Sequence, residues 1–518
     1  MRHSNKAIKM KKVSLTEEVT KNSFHSVVAT TIGKVGAVIF SIILARLMLP
    51  EKFGLYSLAS SIILFSMLFI DLGINHTAIR YISKALGEKN IKKASAYMYY
   101  LLKIKTILLI IVTLGLIILA YPLAYYIFKK PQLVIPLLFS IFYIATVTLE
   151  NFFESLFYAL KKVEYIKLKE VIYQTLRIVL IILFFYFINS AYYVVGTFFI
   201  LGFANLIILL LILKWINKLE PDLLKKKNSE IDKKGILSFL GYVSLGAISG
   251  VLFSQVDALV IGAFIDDVAY VGYYRLAITI VFSITAFLSF TNILIPIFTQ
   301  IHQKNLETSL NKAFKYLMAI TIPAAIGLAV LSNNVIHLAF GSDYMIAQYP
   351  LLFSSLLIVT NLGSAFFCAF ISSRGKPQLY LKLTVYTAII DTVLNFIFVI
   401  FFLRYSETHA LVGAAVSTLI SSFIFFIGTG VIIKNNFSII IKKSNIIKPL
   451  LASLFMGAIL LYIKAKKDNL GVVFSTFEVI LGALIYFSAM YAIGGINKGD
   501  INLVKLLLKK QKHYKGNI

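Results

Sequence analysis

The stretch "TTIGKVGAVIFSIILARLMLPEKFGLYSLASS", residues 30–61, reads as a membrane-spanning segment, yet it contains a lysine, Lys34. A charged side chain in hydrocarbon costs roughly 2.5 to 3.5 kcal/mol on insertion scales, and it usually faces a bundle interior or a water-filled cavity. The interpretation of this segment therefore depends on which other parts of the chain surround Lys34.

The composition is that of a membrane protein. Of 518 residues, 59% are hydrophobic and 14% charged, and the mean hydropathy is +0.85, well above soluble domains. Apolar runs of about 20 residues, enough to cross roughly 30 Å of hydrocarbon, recur along the chain. They predict an all-α polytopic membrane protein with about fourteen transmembrane helices. The predicted spans are 24–48, 56–79, 104–127, 132–158, 170–189, 192–213, 237–264, 269–299, 314–339, 346–371, 379–403, 409–433, 447–463 and 470–494.

The net charge of +28 is distributed as a topology signal. Of the 51 Lys and Arg, 38 fall in the two tails and in alternate loops on one side, and eight in the loops on the other side. This is the positive-inside pattern, so we expect both termini to be cytoplasmic in the cell membrane. The basic excess favours contact with anionic lipid headgroups, not with nucleic acid. The first 22 residues are polar and basic without a cleavage pattern, so the first span is expected to be retained.

Two segments resemble each other at an offset of 218 residues: "FGLYSLA" (53–59) and "VGYYRLA" (271–277). Six spans separate them, so the two halves share one orientation and form a parallel repeat, a transporter plan with the substrate site between the halves. The predicted organisation is an N-tail 1–23, an N-lobe 24–213, a basic cytoplasmic linker 214–236, a C-lobe 237–433, two further spans within 434–494 and a basic C-tail 495–518.

Four patches resemble the polysaccharide exporters of the multidrug/oligosaccharidyl-lipid/polysaccharide (MOP) superfamily. They are "LARLMLPEKFGLYSLA" (44–59), "DLGINHTAIRYISKA" (71–85), "VDALVIGAFIDDVAYVGYYRLA" (256–277) and "DTVLNFIFVIFFLRYSETHALVGAAVSTLISS" (391–422). The resemblance implies two six-helix lobes in a V around a central cavity, plus two C-terminal helices. It also implies a flippase for polyprenyl-diphosphate-linked oligosaccharides, as in O-antigen, exopolysaccharide or archaeal glycan assembly, with a polysaccharide polymerase or glycosyltransferases as partners.

A diphosphate substrate gives a reason for cations inside the membrane, because charges attract strongly where screening is weak. Thr30, Lys34 and Ser41 share one helical stripe, which suits a cavity wall. Lys34, Arg177 and Arg275 are the candidate substrate-binding residues. A snorkelling Lys34 and an interfacial anchor at Arg275 are the structural alternatives.

The acidic candidates are Asp257, Glu150 and Glu154. Asp257 lies deep in the seventh predicted span and suggests an ion pair, with Lys34 as one partner, or ion coupling. Glu150 and Glu154 share a helical face and suggest proton or sodium coupling, or alternatively a helix-end pair bonded to neighbouring lysines such as Lys161. Asp71 and Asp391 are expected to cap helices or pair within their lobes.

Several classes are disfavoured. No Gly-rich phosphate loop, metal-ligand spacing or carboxylate pair on a substantial loop is present, so no cofactor and no enzymatic activity is expected. The single cysteine, Cys368, excludes an intramolecular disulfide. Two alternatives stay open: a cation-coupled multidrug exporter of the same fold, and a transport-silent scaffold for glycan enzymes.

Overall fold

Apolar runs of this length become helices, because within hydrocarbon a backbone must bond its own polar groups. The computed structural model describes residues 2–288, 298–299, 301, 305–466, 470–496 and 500, with side chains from residue 28. These residues form helices and connecting turns, as predicted. The helices are α1 Arg2–Asp71, α2 Ile74–Gly87, α3 Ile91–Pro122, α4 Val134–Ala159, α5 Glu164–Phe187, α6 Tyr193–Leu219, α7 Lys233–Phe264, α8 Ala269–Phe287, α9 Leu306–Val330, α10 Ser332–Phe340, α11 Gln348–Ser354, α12 Leu357–Ser373, α13 Gln378–Leu403, α14 Glu407–Phe437, α15 Ser444–Lys466 and α16 Val472–Ala492.

The number of spans agrees with the predicted fourteen. Within the described ranges, 12 helical stretches are long and apolar enough to cross a membrane, or 13 with one pair bent by 43°, Ser342–Ser354 with Leu357–Ser373. The first stretch, Val28–Gly87, is 60 residues long and contains a break at Leu49, whose φ is 64° and which precedes Pro50. That break separates the first two predicted spans.

Some predicted boundaries differ from the helices. The eighth span was predicted over 269–299, whereas α8 ends at Phe287 and residues 289–297 lie outside the described ranges. The ninth was predicted over 314–339, whereas α9 covers Leu306–Val330 and the short α10 follows it. Most of the predicted C-tail, residues 497–499 and 501–518, also lies outside the described ranges.

The two repeat motifs meet where α1 and α8 cross. A Cβ atom added to Gly54 would collide with the carbonyl oxygen of Val268, and one added to Gly272 would lie 3.1 Å from the Cα of Gly54. The crossing is therefore closest at the paired glycines, because no side chain separates the two backbones. The core around it joins both halves of the chain, with Leu58 and Leu276 fully buried.

The polar linker is shorter than the predicted 214–236, because α6 continues to Leu219 and α7 begins at Lys233. It is fixed to α3 through two backbone carbonyls: the hydroxyl of Ser95 donates to Lys225 at 2.5 Å, and that of Tyr99 to Leu224 at 2.6 Å.

Candidate functional site

A cavity of about 510 Å³ lies between the first half of the chain (α1 to α6) and the second half (α7 to α14). Its walls come from α1, α4, α5 and α6 on one side and from α7 and α8 on the other. The sequence predicted a site between the halves of a parallel repeat, and the cavity occupies that place.

The three predicted cations, Lys34, Arg177 and Arg275, all line this cavity, and none of the described residues that line it is acidic. Lys34 is exposed, and Ser41 of the predicted polar stripe lines the same wall. Arg275 donates from Nη1 to the Oε1 of Gln255 at 3.4 Å. Three positive side chains converge on one space, where an anion reduces their mutual repulsion. Their role in substrate binding stays a prediction.

Arg177 is held by aromatic rings. Its guanidinium carbon lies 4.4 Å from the ring centroid of Phe40 and 5.1 Å from that of Tyr173, both cation–π distances. Its Nε and Nη2 atoms are buried and have no hydrogen-bond acceptor among the described residues. A guanidinium has five donors and buried donors are nearly always bonded, so these two atoms of Arg177 are exceptional among buried polar groups.

Hydroxyl, amide and aromatic groups complete the walls. Tyr56 stacks on Phe198 with ring centroids 5.2 Å apart. Such surfaces suit a polar, uncharged group next to an anion, because rings pack against apolar faces and hydroxyls exchange hydrogen bonds. The further polar lining residues are Ser41, Ser60, Tyr143, Ser254, Gln255, Thr279 and Ser283.

Glu150 and Glu154 lie together, as predicted, in a buried cluster behind the cavity wall. Lys169 binds both, with Nζ 3.0 Å from Glu150 Oε1 and 2.5 Å from Glu154 Oε2. It also lies 3.3 Å from Glu170 Oε2. Of the two interpretations of Glu150 and Glu154, the lysine-bonded pair describes this geometry. The sequence analysis missed Lys169 and Glu170.

This cluster contacts α1 directly behind Lys34. Gln174 donates to Glu170 Oε1 at 2.5 Å and to the carbonyl of Gly33 at 3.3 Å. Gly33 leaves the room for Glu170, whose Oε1 would lie 2.7 Å from a Cβ at that position. The acidic cluster therefore positions the turn of α1 that carries Lys34.

Asp257 does not pair with Lys34, so that expectation is wrong for this structure. Its carboxylate instead accepts hydrogen bonds from the hydroxyls of Tyr274 and Thr418. Asp391 lies near Asp257, and its carboxylate is buried close to the hydroxyls of Ser421 and Thr418. The physical reason is that α7 packs against α13 and α14, and Asp257 lies on the side of α7 that faces Thr418 of α14.

Asp71 forms an ion pair within its own half, as expected. Lys105 binds Asp71 at 2.8 Å and also donates to Asn75 Oδ1 at 2.7 Å, so Asp71 pairs within the first half. Asp391, by contrast, has no cation partner within the described residues.

The sequence of this chain belongs to a known family. Residues 19–302 match the family of polysaccharide biosynthesis proteins, and because this is more than half of the chain, the protein is a member of that family. It is 26% identical over 205 residues to the probable low-salt glycan biosynthesis flippase Agl15 of Haloferax volcanii, covering 38% of this chain and 41% of that protein. The chain thus matches less than half the length of this curated relative. It is also 23% identical over 384 residues to the uncharacterized membrane protein MJ1068 of Methanocaldococcus jannaschii, covering 70% and 74%.

Solved structures show which fold the helices form. The lipid II flippase MurJ in an inward closed conformation superposes with a TM-score of 0.67 at 17% identity, covering 90% of this chain and 98% of that one. An inward-facing MATE family multidrug resistance transporter of the MOP superfamily superposes at 0.55 and 16% identity, covering 79% and 93%. The protein is therefore a multi-pass membrane protein with the fold of the MurJ and MATE transporters.

Proposed function

We propose that this protein is a flippase that moves polyprenyl-(di)phosphate-linked oligosaccharides from the inner to the outer leaflet by alternating access. The observation that carries the proposal is the cavity between the halves, in which Lys34, Arg177 and Arg275 converge without an acidic residue. The similarity to Agl15, a probable glycan biosynthesis flippase, and to MurJ, a lipid II flippase, supports the same substrate class.

In this proposal, different residues of the cavity bind different parts of the substrate. The guanidinium of Arg177, which has two donors to spare, receives phosphate oxygens, and Lys34 and Arg275 neutralise the remaining charge. The hydroxyl-bearing walls take the first sugars, and the prenyl tail stays in lipid. Rocking of the halves about the crossing of α1 and α8 then exposes the headgroup on the other side.

The charge of the cavity argues against export of organic cations, the alternative function of this fold. A cationic drug requires negative charge to offset its own, whereas three basic residues line this cavity and no acidic residue among the described lining does. From the charge bias, we propose that the protein lies in the cell membrane with both termini on the cytoplasmic side. We also propose that glycan-assembling enzymes supply and consume the lipid-linked substrate. The protein itself performs no covalent step in this proposal.

The test is transfer of a fluorescent polyprenyl-diphosphate oligosaccharide across proteoliposomes. Lys34→Ala and Arg177→Ala should each slow transfer about tenfold or more, because a hydrogen bond to a charged group contributes roughly 1.5 to 3 kcal/mol. Lys34→Arg should restore most of the rate. Lys92→Ala, which removes an exposed lysine outside the cavity, is the matched control.

Equal rates in all of these variants would refute a role for the cavity cations. Absence of transfer by the native protein, together with export of an organic cation, would favour the drug-exporter function. Activity of glycan enzymes that depends on the presence of this protein but on none of its cavity charges would favour the scaffold.

We further propose that Asp257 and Asp391 hold the coupling proton or monovalent cation. Asp391 is fully buried close to Asp257, and it has no cation partner within the described residues. A buried carboxylate without a cation partner is stabilised by a proton or by a bound cation. Glu150 and Glu154 already bind Lys169, which makes them the weaker candidates for coupling.

Asp391→Asn is expected to make transport insensitive to an imposed sodium or proton gradient, because the exchangeable charge is removed. Transfer is measured in proteoliposomes with and without each gradient. Asp343→Asn, at an exposed acid, should keep the native gradient response. A variant at Asp391 that responds to the gradient like the native protein contradicts the assignment.

A further inference from the structure

Within the described residues, five side-chain hydrogen bonds join the two halves at one end of the molecule. The ammonium of Lys130 donates to the carbonyls of Gly262 at 2.8 Å and Ile265 at 3.0 Å. Arg46 donates to two carbonyls of α10, from Nε to Ala339 at 2.9 Å and from Nη2 to Leu338 at 2.7 Å. In the opposite direction, the hydroxyl of Tyr344 in the second half donates to the carbonyl of Ala45 at 2.7 Å.

All five acceptors lie at helix C-termini. Gly262 and Ile265 lie at the end of α7, and Leu338 and Ala339 in the last turn of α10. Ala45 lies in the last turn before the break of α1. The last four carbonyls of a helix have no intrahelical donor, and cations are favourable there. Each half therefore supplies the missing donors for helix ends of the other half.

The ammonium of Lys130 is buried in this contact and bonds three backbone carbonyls. It is only 6% exposed, although a lysine at this place can extend into water, and its third bond is to Phe128 O at 3.0 Å. Burial lowers the pKa of Lys130, while Asp266, Asp267 and Glu407 nearby act in the opposite direction. The neighbouring Lys129, whose φ of 52° turns the backbone, is exposed.

The halves meet differently at the other end. There the guanidinium of Arg80 lies 4.2 Å from the ring centroid of Phe239, and Gly73 packs against Val243. The ring contact of the exposed Arg80 separates at little cost, whereas separating the buried ammonium of Lys130 from its carbonyls requires water to replace each bond. The two ends of the cavity are thus closed with unequal strength.

We propose that Lys130 and Arg46 form a latch that holds the halves together at the end where α7 and α10 terminate, and that releasing it is the step that opens the cavity there. This is the outer end in the proposed orientation. The inference rests on the proposed alternating access, and it assigns transport roles to two residues outside the cavity. Because the latch bonds backbone carbonyls, it needs a donor side chain at these positions but no particular acceptor side chain.

The test is a distance between spin labels across this end, in lipid nanodiscs without substrate. Cys368→Ser removes the single cysteine, and Tyr126→Cys and Tyr405→Cys add labels at exposed positions in the two halves. Lys130→Met should raise the ratio of long to short distances about tenfold or more, because its charged hydrogen bonds to carbonyls are lost. Lys129→Met, the adjacent exposed lysine, should leave the distribution unchanged.

Two further variants keep the test decisive. Arg46 is exposed, so Arg46→Met disturbs little packing and should shift the distances in the same direction even where Lys130→Met folds poorly. Lys130→Arg keeps donors and should stay closed. Unchanged distances in both Met variants would overturn the latch. A shift in distances without any glycan transfer by the native protein would retain the latch and reject the proposed substrate.

Discussion

Lys169→Met is expected to destabilise the protein by about 3 to 5 kcal/mol, the usual cost of removing one partner from a buried ion pair. Lys169 lies between three carboxylates, those of Glu150, Glu154 and Glu170, within 3.3 Å of each. Without the ammonium, these negative charges repel one another in a medium that screens weakly. The loss should shrink at lower pH, because protons then neutralise the carboxylates.

The measurement is thermal unfolding in detergent followed by a thiol-reactive dye, since the only thiol is Cys368 in α12. Lys167→Met removes a half-buried lysine of the same helix that forms no ion pair among the described residues, and it should unfold close to the native temperature. Adding Glu150→Gln and Glu154→Gln to Lys169→Met should recover part of the stability, because fewer like charges remain. A native unfolding temperature for Lys169→Met alone would mean that the cluster is already neutral without its lysine.

Gly54→Ala is expected to separate the halves and abolish transfer. The new methyl group would collide with the carbonyl oxygen of Val268, and backbone, unlike a flexible side chain, cannot rotate away. Overpacking of this kind typically costs about 1 to 3 kcal/mol. It should exceed the roughly 1 kcal/mol that alanine gains over glycine inside a helix.

Thermal unfolding and the spin-label distances between the halves test this together. Gly115→Ala is the matched control, because a Cβ there meets nothing within 4 Å, and it should unfold at the native temperature or higher. Gly272→Ala, with its nearest contact at 3.1 Å, should show an intermediate effect. If Gly54→Ala keeps native distances and stability, the crossing of α1 and α8 tolerates more movement than its geometry indicates.

The helices and the cavity cations were predictable because few backbone conformations and few positions of a charge are stable within hydrocarbon. A long apolar run has to be a helix, and a cation inside one usually faces a cavity. The three cations are far apart in sequence. Of them, only Arg275 lies within a repeat motif, residues 271–277, and so near the crossing of the two halves. The sequence could not specify that the three share one space, which depends on how α1, α5 and α8 pack.

Asp257 was assigned a wrong partner because a buried carboxylate is usually offset by a cation. Its partners are instead hydroxyl groups from α8 and α14. Neutral donors can satisfy a buried carboxylate as well, but the sequence does not show that they lie near it. Nothing in the sequence aligns Tyr274 and Thr418 with it.

Lys169 was missed for a different reason. Hydropathy placed the start of the fifth span at residue 170, so Lys169 counted as a loop lysine, whereas α5 begins at Glu164. A usable signal existed in the short turn after α4. Glu154 lies five residues before the end of α4 and Lys169 five residues after the start of α5, so the two face each other across the hairpin.

The acid-free cavity also determines which step of the cycle a voltage acts upon. Moving one elementary charge through 100 mV corresponds to about 2.3 kcal/mol. A diphosphate neutralises most of the charge of Lys34, Arg177 and Arg275, so the empty cavity is the more highly charged form. In the proposed cycle, a potential that is negative on the basic side therefore acts mainly on the empty protein as it returns to accept the next lipid, and less on the loaded protein.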